Sequence, residues 1–188
     1  MKCNIFNKIY NKFFYTLKGL FKAVKYKFND YEGEQLWYLK LRIEIEKKKI
    51  AREILCELPD WFGLPESTAE YISCSKEMPF GADIENRQVR GFIALKETSP
   101  YTLEIYVMGV LKEFHRYKIG TNLFKACYEY AKEHGYLYMQ VKTVKEGCYD
   151  VYDITNTFYK KIGFKEFECF PTLWDQWNPC QIYIISIK

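Results

Sequence analysis

Apolar positions recur at helical spacing along residues 5–28: Ile5, Ile9, Phe13, Leu17, Leu20, Phe21, Val24 and Phe28, with lysines filling much of the other face. This pattern predicts a basic amphipathic helix, and "NDYEGE" at 29–34 reads as a linker. "LWYLKLRIEI" (36–45) alternates like a strand, and "EKKKIAREILCEL" (46–58) carries Ile50, Ile54, Leu55 and Leu58 at helical spacing. Pro59 and Gly63 bracket the turn "PDWFG". "PESTAEYISCSKE" (65–77) opens on Pro and acids, as a helix start does. Two strands follow, "PFGADIE" and "QVRGFIALKE", joined by "NRQ", and then a long buried strand over 101–111. A helix is predicted over about 119–134, with Leu123, Cys127, Tyr130 and Ala131 inward and Gly135 ending it. After it come a strand over 136–144, an acidic loop, a helix over 151–163 stopped by Gly163, and the closing strands "FKEFECF" and "QIYIISIK". Between these last two lies "PTLWDQWNP", a loop with two Trp. No internal repeat or low-complexity segment breaks the pattern.

Charge changes this picture at one end only. Residues 1–30 hold seven lysines against Asp30, a balance of +6, and the other residues hold 21 basic against 23 acidic side chains, a balance of −2. The basic character belongs to the N-terminal arm, so the body carries no general case for nucleic-acid binding. The arm is read as packing on the body or on a neighbour, with contact to an anionic membrane or to nucleic acid as the functional alternatives. Lysines at 8, 12, 18 and 22 interrupt every apolar run. Neither a signal-peptide core nor a span of about 20 apolar residues is expected. The 188 residues fit one domain with an extension, divided as 1–34 and 35–188. Seven cysteines, an odd number without a C-x-x-C pair, read as reduced thiols of a cytoplasmic protein. With His115 and His134 the only histidines, no metal site is expected.

Candidate chemistry concentrates in "EIYVMGVLKEFHRYKIGTNLF" (104–124). It reads as a strand, a polar break and a helix that opens at Gly120. A helix start leaves backbone N–H groups unpaired and carries partial positive charge, which makes an anion site. Gly120 permits close approach of a ligand, and His115, Arg116, Tyr117 and Lys118 add charge and donors. The residues exclude a Walker loop, G-x-x-x-x-G-K-[ST], and a three-glycine dinucleotide fingerprint. A plain strand–helix turn with a solvated basic patch remains the alternative reading of the loop.

The same stretch resembles motif A of the GCN5-related N-acetyltransferase (GNAT) family, whose loop pattern is Q/R-x-x-G-x-G/A. In register, His115 stands at the Q/R, Lys118 at the first glycine and Gly120 at the last position. A positive φ at Lys118 would carry a cost. "EIYVMGV" aligns on the family's central strand, with Glu104 at the position of a glutamate base. "NTFYKKIGF" (156–164) is similar to the family's YxKxGF helix end, with Tyr159 at the thiolate-protonating position. "LPDWFGLPESTAEYI…LWDQWNPC" resembles one bacterial branch, some members of which are loosely labelled aminoglycoside 6′-acetyltransferase-like.

The resemblance implies an α/β (α+β) fold: a mixed, twisted central sheet flanked by helices, with parallel strands 101–111 and 136–144 splaying apart and Gly109 suited to a bulge. It implies acetyl-CoA as acyl-donor substrate and no metal. The pantetheine arm would bond the first strand's open edge around Met108, Gly109 and Val110. The pyrophosphate would sit on the loop and helix start: His115, Arg116, Tyr117, Lys118, Ile119, Gly120, Thr121 and Asn122. The family often has an Asn at the position of Tyr152, and Asn156 would serve in its place. Acyl transfer to an amine then needs a base, Glu104 through a water, an oxyanion donor, the N–H near Val110, and an acid for the leaving thiolate, Tyr159. Trp61, Phe62, Tyr106, Trp174 and Asp175, with Trp177, are candidates for the acceptor wall, since aromatics with an acid suit a cationic amine. Cys148 and Cys180 read as ordinary thiols. The expected function is acetyl transfer to a primary amine of a small molecule or peptide by direct attack in a ternary complex. A non-catalytic acyl-CoA-binding module, and a domain docked on membrane or nucleic acid by its basic helix, stay open beside it. A homodimer is also left open.

Overall fold

The computed structural model describes residues 33–188 except Arg87, with side chains of the first helix from Glu44 onward. The amphipathic helix expected over 5–28 lies outside the described residues. Helix α1 runs Gly33–Cys56 and α2 Pro65–Cys74. The alternation at 36–45 is therefore helical, not a strand, and the last two residues of the expected linker, Gly33 and Glu34, belong to α1. Between Gln35 and Leu58 there is no Gly, Pro, Asn or Asp to stop a helix once it has nucleated.

The remaining elements are β1 (Phe80–Glu85), β2 (Gln88–Ser99), β3 (Thr102–Val110), a 3₁₀ turn (Lys112–Phe114), α3 (Ile119–Glu133), β4 (Tyr138–Val144), α4 (Asp150–Lys161), β5 (Lys165–Phe170) and β6 (Cys180–Ser186). The sheet order is β1-β2-β3-β4-β6-β5. All pairs are antiparallel except β3 with β4, the pair joined through α3. This is the mixed, helix-flanked sheet that the resemblance implies.

One feature of register positions the site. Parallel pairing of β3 with β4 runs from Thr102↔Tyr138 to Ile105↔Val141 and stops. Beyond that point β3 stays with β2 as far as Val110↔Gly91, and β4 stays with β6 as far as Val144↔Cys180. The two strands splay, and their facing edges are left without a ladder partner.

A bulge adds to this. Ala94 pairs with Val107 and Leu95 with Ile105, so Tyr106 is the inserted residue. Tyr106 and Val107 accordingly both join the α1/α2 side, while Ile105 and Met108 join the α3/α4 side. The bulge expected at Gly109 is thus at Tyr106, and Gly109 meets a different need. A Cβ there would come within 2.7 Å of Ile54 Cγ2 and 3.0 Å of Leu58 Cδ1. The absent side chain is what lets α1 lie on β3.

Each sheet face carries its own core. Ala51, Ile54 and Leu55 of α1, with Leu58 just past its end, cover Phe92, Ala94 and Val107. Leu123, Cys127 and Ala131 of α3, with Tyr159 of α4, cover Ile93, Leu95, Ile105, Met139 and Val141. These inward faces match the periodicity of the sequence, apart from the half-buried Ile50 and Tyr130. Each fully buried Ile or Leu contributes about 1.5–3 kcal/mol by leaving water. No described helix is long and apolar enough to cross a membrane.

Candidate active site

Glu104 sits in the paired part of β3, opposite Lys96 of β2 and Gln140 of β4. It is 5% exposed. Its Oε2 accepts hydrogen bonds from Gln140 Nε2 at 2.9 Å and Lys142 Nζ at 2.8 Å. The last of these is an ion pair in which the carboxylate is buried and the lysine partly open. Gln140 and Lys142 are two residues apart on β4 and therefore share its face with Glu104.

Beside Glu104, the open edge of β3 begins. Leu111 N–H donates to Arg90 O at 2.9 Å, so the backbone groups of Leu111 point toward β2. Strand alternation then turns those of Val110 and Met108 toward the splay. The His115 side chain already reaches one of them: its Nε2–H donates to Val110 O at 2.9 Å.

At the end of this edge stands the start of α3. Tyr117 N–H is bonded to Phe114 O and Asn122 N–H to Lys118 O. Among the described residues the N–H groups of Lys118, Ile119, Gly120 and Thr121 carry no partner. The first turn holds no acid and no side-chain cap. Exposed Arg116, Tyr117 and Lys118 surround it. Four free amides at an uncompensated helix N-terminus can bind an anion. Gly120 lets this helix start approach closely: a Cβ would lie 3.1 Å from Met108 Cε and 3.3 Å from Phe158 Cζ.

The loop contains two strained residues, Arg116 at φ +71 and Lys118 at φ +63. A left-handed conformation costs an L-residue about 1–2 kcal/mol. Lys118→Gly removes that cost but gives about 0.5–1 kcal/mol back through the freer unfolded chain. The variant is expected to gain up to about 1 kcal/mol, raising Tm by roughly 2–4 °C. A lower Tm would mean that the lysine side chain itself holds the loop.

Two α4 residues occupy different environments. Asn156 is fully buried, its Nδ2 donating to Val144 O at 2.9 Å and Tyr152 O at 2.7 Å while its Oδ1 accepts from Tyr183 Oη at 2.7 Å. Its side chain is committed to joining α4 to β4 and β6. Tyr159 packs among Phe158, Phe164 and Tyr183, and burial pushes its phenol well above the ordinary value. Among the described residues its hydroxyl has no hydrogen-bond partner. Since no fully buried side-chain N or O lacks a partner among the described residues, that hydroxyl opens onto accessible space, protonated at neutral pH.

The aromatic wall divides into two parts. Phe62, Tyr71 and Tyr106 stack edge-to-face from the α1–α2 loop to β3. Tyr106 Oη donates to Glu70 Oε1 at 3.1 Å, and Lys96 Nζ lies 5.1 Å over the Tyr106 ring. Trp61 spans to α4: its Nε1 donates to Thr155 Oγ1 at 3.1 Å, and Tyr152 Oη donates to Trp61 O at 3.0 Å. Burial, aided by Tyr71, pushes the Tyr152 phenol up to about 12. Trp61 also meets the His115 ring edge-on.

Trp174 and Asp175 belong to a separate loop. Asp175 accepts from Trp177 N–H, Asn178 N–H and Asn178 Nδ2. Those bonds, Asn178's side chain first, hold its carboxyl below the usual range. It organises its own loop, while Trp174 and Trp177 stand exposed. Among the described residues, a long bond, Tyr149 Oη to Trp177 O at 3.5 Å, ties this loop toward the start of α4.

Gln140, Lys142, Glu70 and Tyr71 were not legible as site residues. Their only sequence signal is two polar residues, Gln140 and Lys142, alternating inside an otherwise apolar strand. Cys180 is buried near Glu104 and Lys142, and desolvation pushes its thiol up to about 11, so it stays protonated at neutral pH. A cavity of about 410 Å³ opens elsewhere, between α1 and α2, lined by Lys48, Arg52, Phe62 and Thr68; of the aromatic wall described above it shares Phe62.

Residues 76–166 match the family model described as an acetyltransferase (GNAT) domain. Among solved structures, a putative GNAT-family acetyltransferase from Desulfovibrio desulfuricans superposes with a TM-score of 0.65 at 14% identity, covering 76% of this chain and 94% of that one. An aminoglycoside 6′-N-acetyltransferase complexed with coenzyme A gives 0.60 at 16%, covering 83% and 93%. A GNAT-family acetyltransferase from Elizabethkingia anophelis with acetyl-CoA bound gives 0.57 at 17%, covering 71% and 88%. At these identities the likeness is one of fold. No protein of curated function matches the sequence.

Proposed function

We propose that this protein is an acetyl-CoA-dependent N-acetyltransferase acting on a primary amine of a small molecule or peptide, a reading supported by the match of residues 76–166 to the GNAT acetyltransferase model and by the GNAT fold. Residues 35–188 are read as the catalytic domain and 1–34 as its basic extension. The observation that carries the proposal is the alignment of three features along one splay. They are the buried carboxylate of Glu104, the open backbone edge at Met108 and Val110, and the unpartnered amides of Lys118–Thr121.

In this reading the α3 amides and the Arg116 and Lys118 side chains hold the pyrophosphate of acetyl-CoA. The edge of β3 orients the pantetheine arm and sets the thioester against the splay. The amine loses its proton to Glu104, directly or through a water, and attacks the thioester carbonyl. A β3 N–H on the open edge, near Val110, stabilises the oxyanion. The neutral Tyr159 hydroxyl supplies a proton to the departing thiolate. Phe62, Tyr71 and Tyr106, with the Glu70 carboxylate, offer an aromatic and anionic wall to a cationic acceptor.

Two observations favour a second reading, a domain that binds acyl-CoA without turnover. His115 already occupies Val110 O, and Lys142 already neutralises Glu104.

Thermal unfolding with acetyl-CoA, and with ATP and NAD as controls, tests the shared part of both. Ligand at about 100 times its Kd adds about 2.7 kcal/mol, a rise in Tm of roughly 5–10 °C for a chain of this size. A rise with acetyl-CoA alone is expected; no rise removes both readings. Release of free CoA thiol in a panel of amines then separates enzyme from binding module.

A further inference from the structure

We propose that Lys142 is a self-acetylation site, its own side chain standing where an acceptor amine must stand. The inference rests on the acetyltransferase reading above.

Lys142 is the first β4 residue past Val141, the last residue paired with β3. It therefore lies where the splay opens. Its side chain lies on the Glu104 face of the sheet, 29% exposed, with Nζ 2.8 Å from Glu104 Oε2. The other described lysine ion pairs, at Lys76, Lys112 and Lys160, all engage carboxylates at least 46% exposed; the Glu104 side chain is 7% exposed. Lys142 is thus the described lysine whose ammonium is held directly on the buried carboxylate that serves as base.

The step balances with acetyl-CoA as the only co-reactant. The Lys142 ammonium gives a proton to Glu104, and the freed Nζ lone pair attacks the thioester carbonyl. The N–C bond forms and the C–S bond breaks. Glu104 passes this first proton to water and accepts the second proton that Nζ sheds as the tetrahedral adduct collapses to the amide; CoA leaves as thiolate and takes a proton from Tyr159, which that second proton restores through solvent. The product amide carries no charge, so Glu104 loses its cationic partner and keeps one N–H donor. Because nucleophile and base are fixed in one molecule, the reaction is first-order in protein and far faster at Lys142 than at surface lysines.

Full-length protein is incubated with acetyl-CoA and sampled over time for acetylated peptides by mass spectrometry, alongside thermal unfolding. Wild type should gain one acetyl group on Lys142 more than about tenfold faster than on any other lysine, at a rate independent of protein concentration. Glu104→Gln should abolish that preference while keeping the acetyl-CoA shift in Tm. A Tm shift without modification of Lys142 overturns the proposal and leaves the acetyltransferase reading standing. So does Lys142 labelling as slow as that of surface lysines and unaffected by Glu104→Gln. Neither a Tm shift nor labelling overturns both.

Discussion

Glu104→Gln should lower turnover about 10²-fold or more while leaving the acetyl-CoA-induced rise in Tm near its wild-type size. Gln preserves the shape of the side chain, and its amide oxygen can still accept from Gln140 and Lys142. It cannot take a proton from an amine. Lys142 is left without a counter-charge, but it is partly open to water, so the fold tolerates the change. The loss should fall on kcat, because acetyl-CoA is held by other groups, the β3 edge and the α3 amides. Turnover at the wild-type rate would remove Glu104 from the mechanism. Loss of the Tm shift would place Glu104 in cofactor binding instead.

The second large effect concerns stability. Asn156→Asp should cost about 3 kcal/mol at neutral pH, lowering Tm by roughly 6–12 °C. The substitution is isosteric, but it replaces the Nδ2 that donates to Val144 O and Tyr152 O with an oxygen. Two buried carbonyls lose their donor and face a carboxylate, while the bond from Tyr183 Oη survives. The sign of the pH dependence follows from burial. The introduced carboxyl has a folded pKa above its unfolded value of about 4. The part of the penalty that comes from the buried charge is therefore absent below about pH 4 and grows as pH rises. The Tm deficit, measured by calorimetry, should shrink on acidification. A deficit that is flat or grows toward acid would show that the Asn156 amide is not the donor drawn here.

Much of the fold was legible from local pattern. The order of elements from residue 46 onward and the inward faces of α1 and α3 follow from periods of 2 and 3.6 and from turn residues, whereas the parallel pairing of two central strands was implied only by the family resemblance. The exception is instructive. Residues 36–45 alternate as a strand does, yet they continue α1, because alternation over ten residues cannot show whether a neighbouring strand exists to pair with. Tyr106 rather than Gly109 forms the bulge for a similar reason. Which residue is inserted depends on matching two strands to two cores, and Gly109 is small because Ile54 and Leu58 lie against it.

The candidate site divides the same way. By itself the sequence determined the chemistry available within one local stretch: a carboxylate on a strand, a polar loop, and a helix start bearing Gly120. These are read from residues adjacent along the chain, where spacing and backbone geometry are tied together. Only the tertiary structure decided that Glu104 meets Lys142, 38 residues away, that Asn156 is used up in the α4–β4–β6 junction, and that Asp175 serves its own loop. Such partnerships depend on register between strands and on how a helix is rotated over the sheet. A one-residue slip in either moves every side chain to a different face, and nothing in the local pattern records which register the two packed cores select.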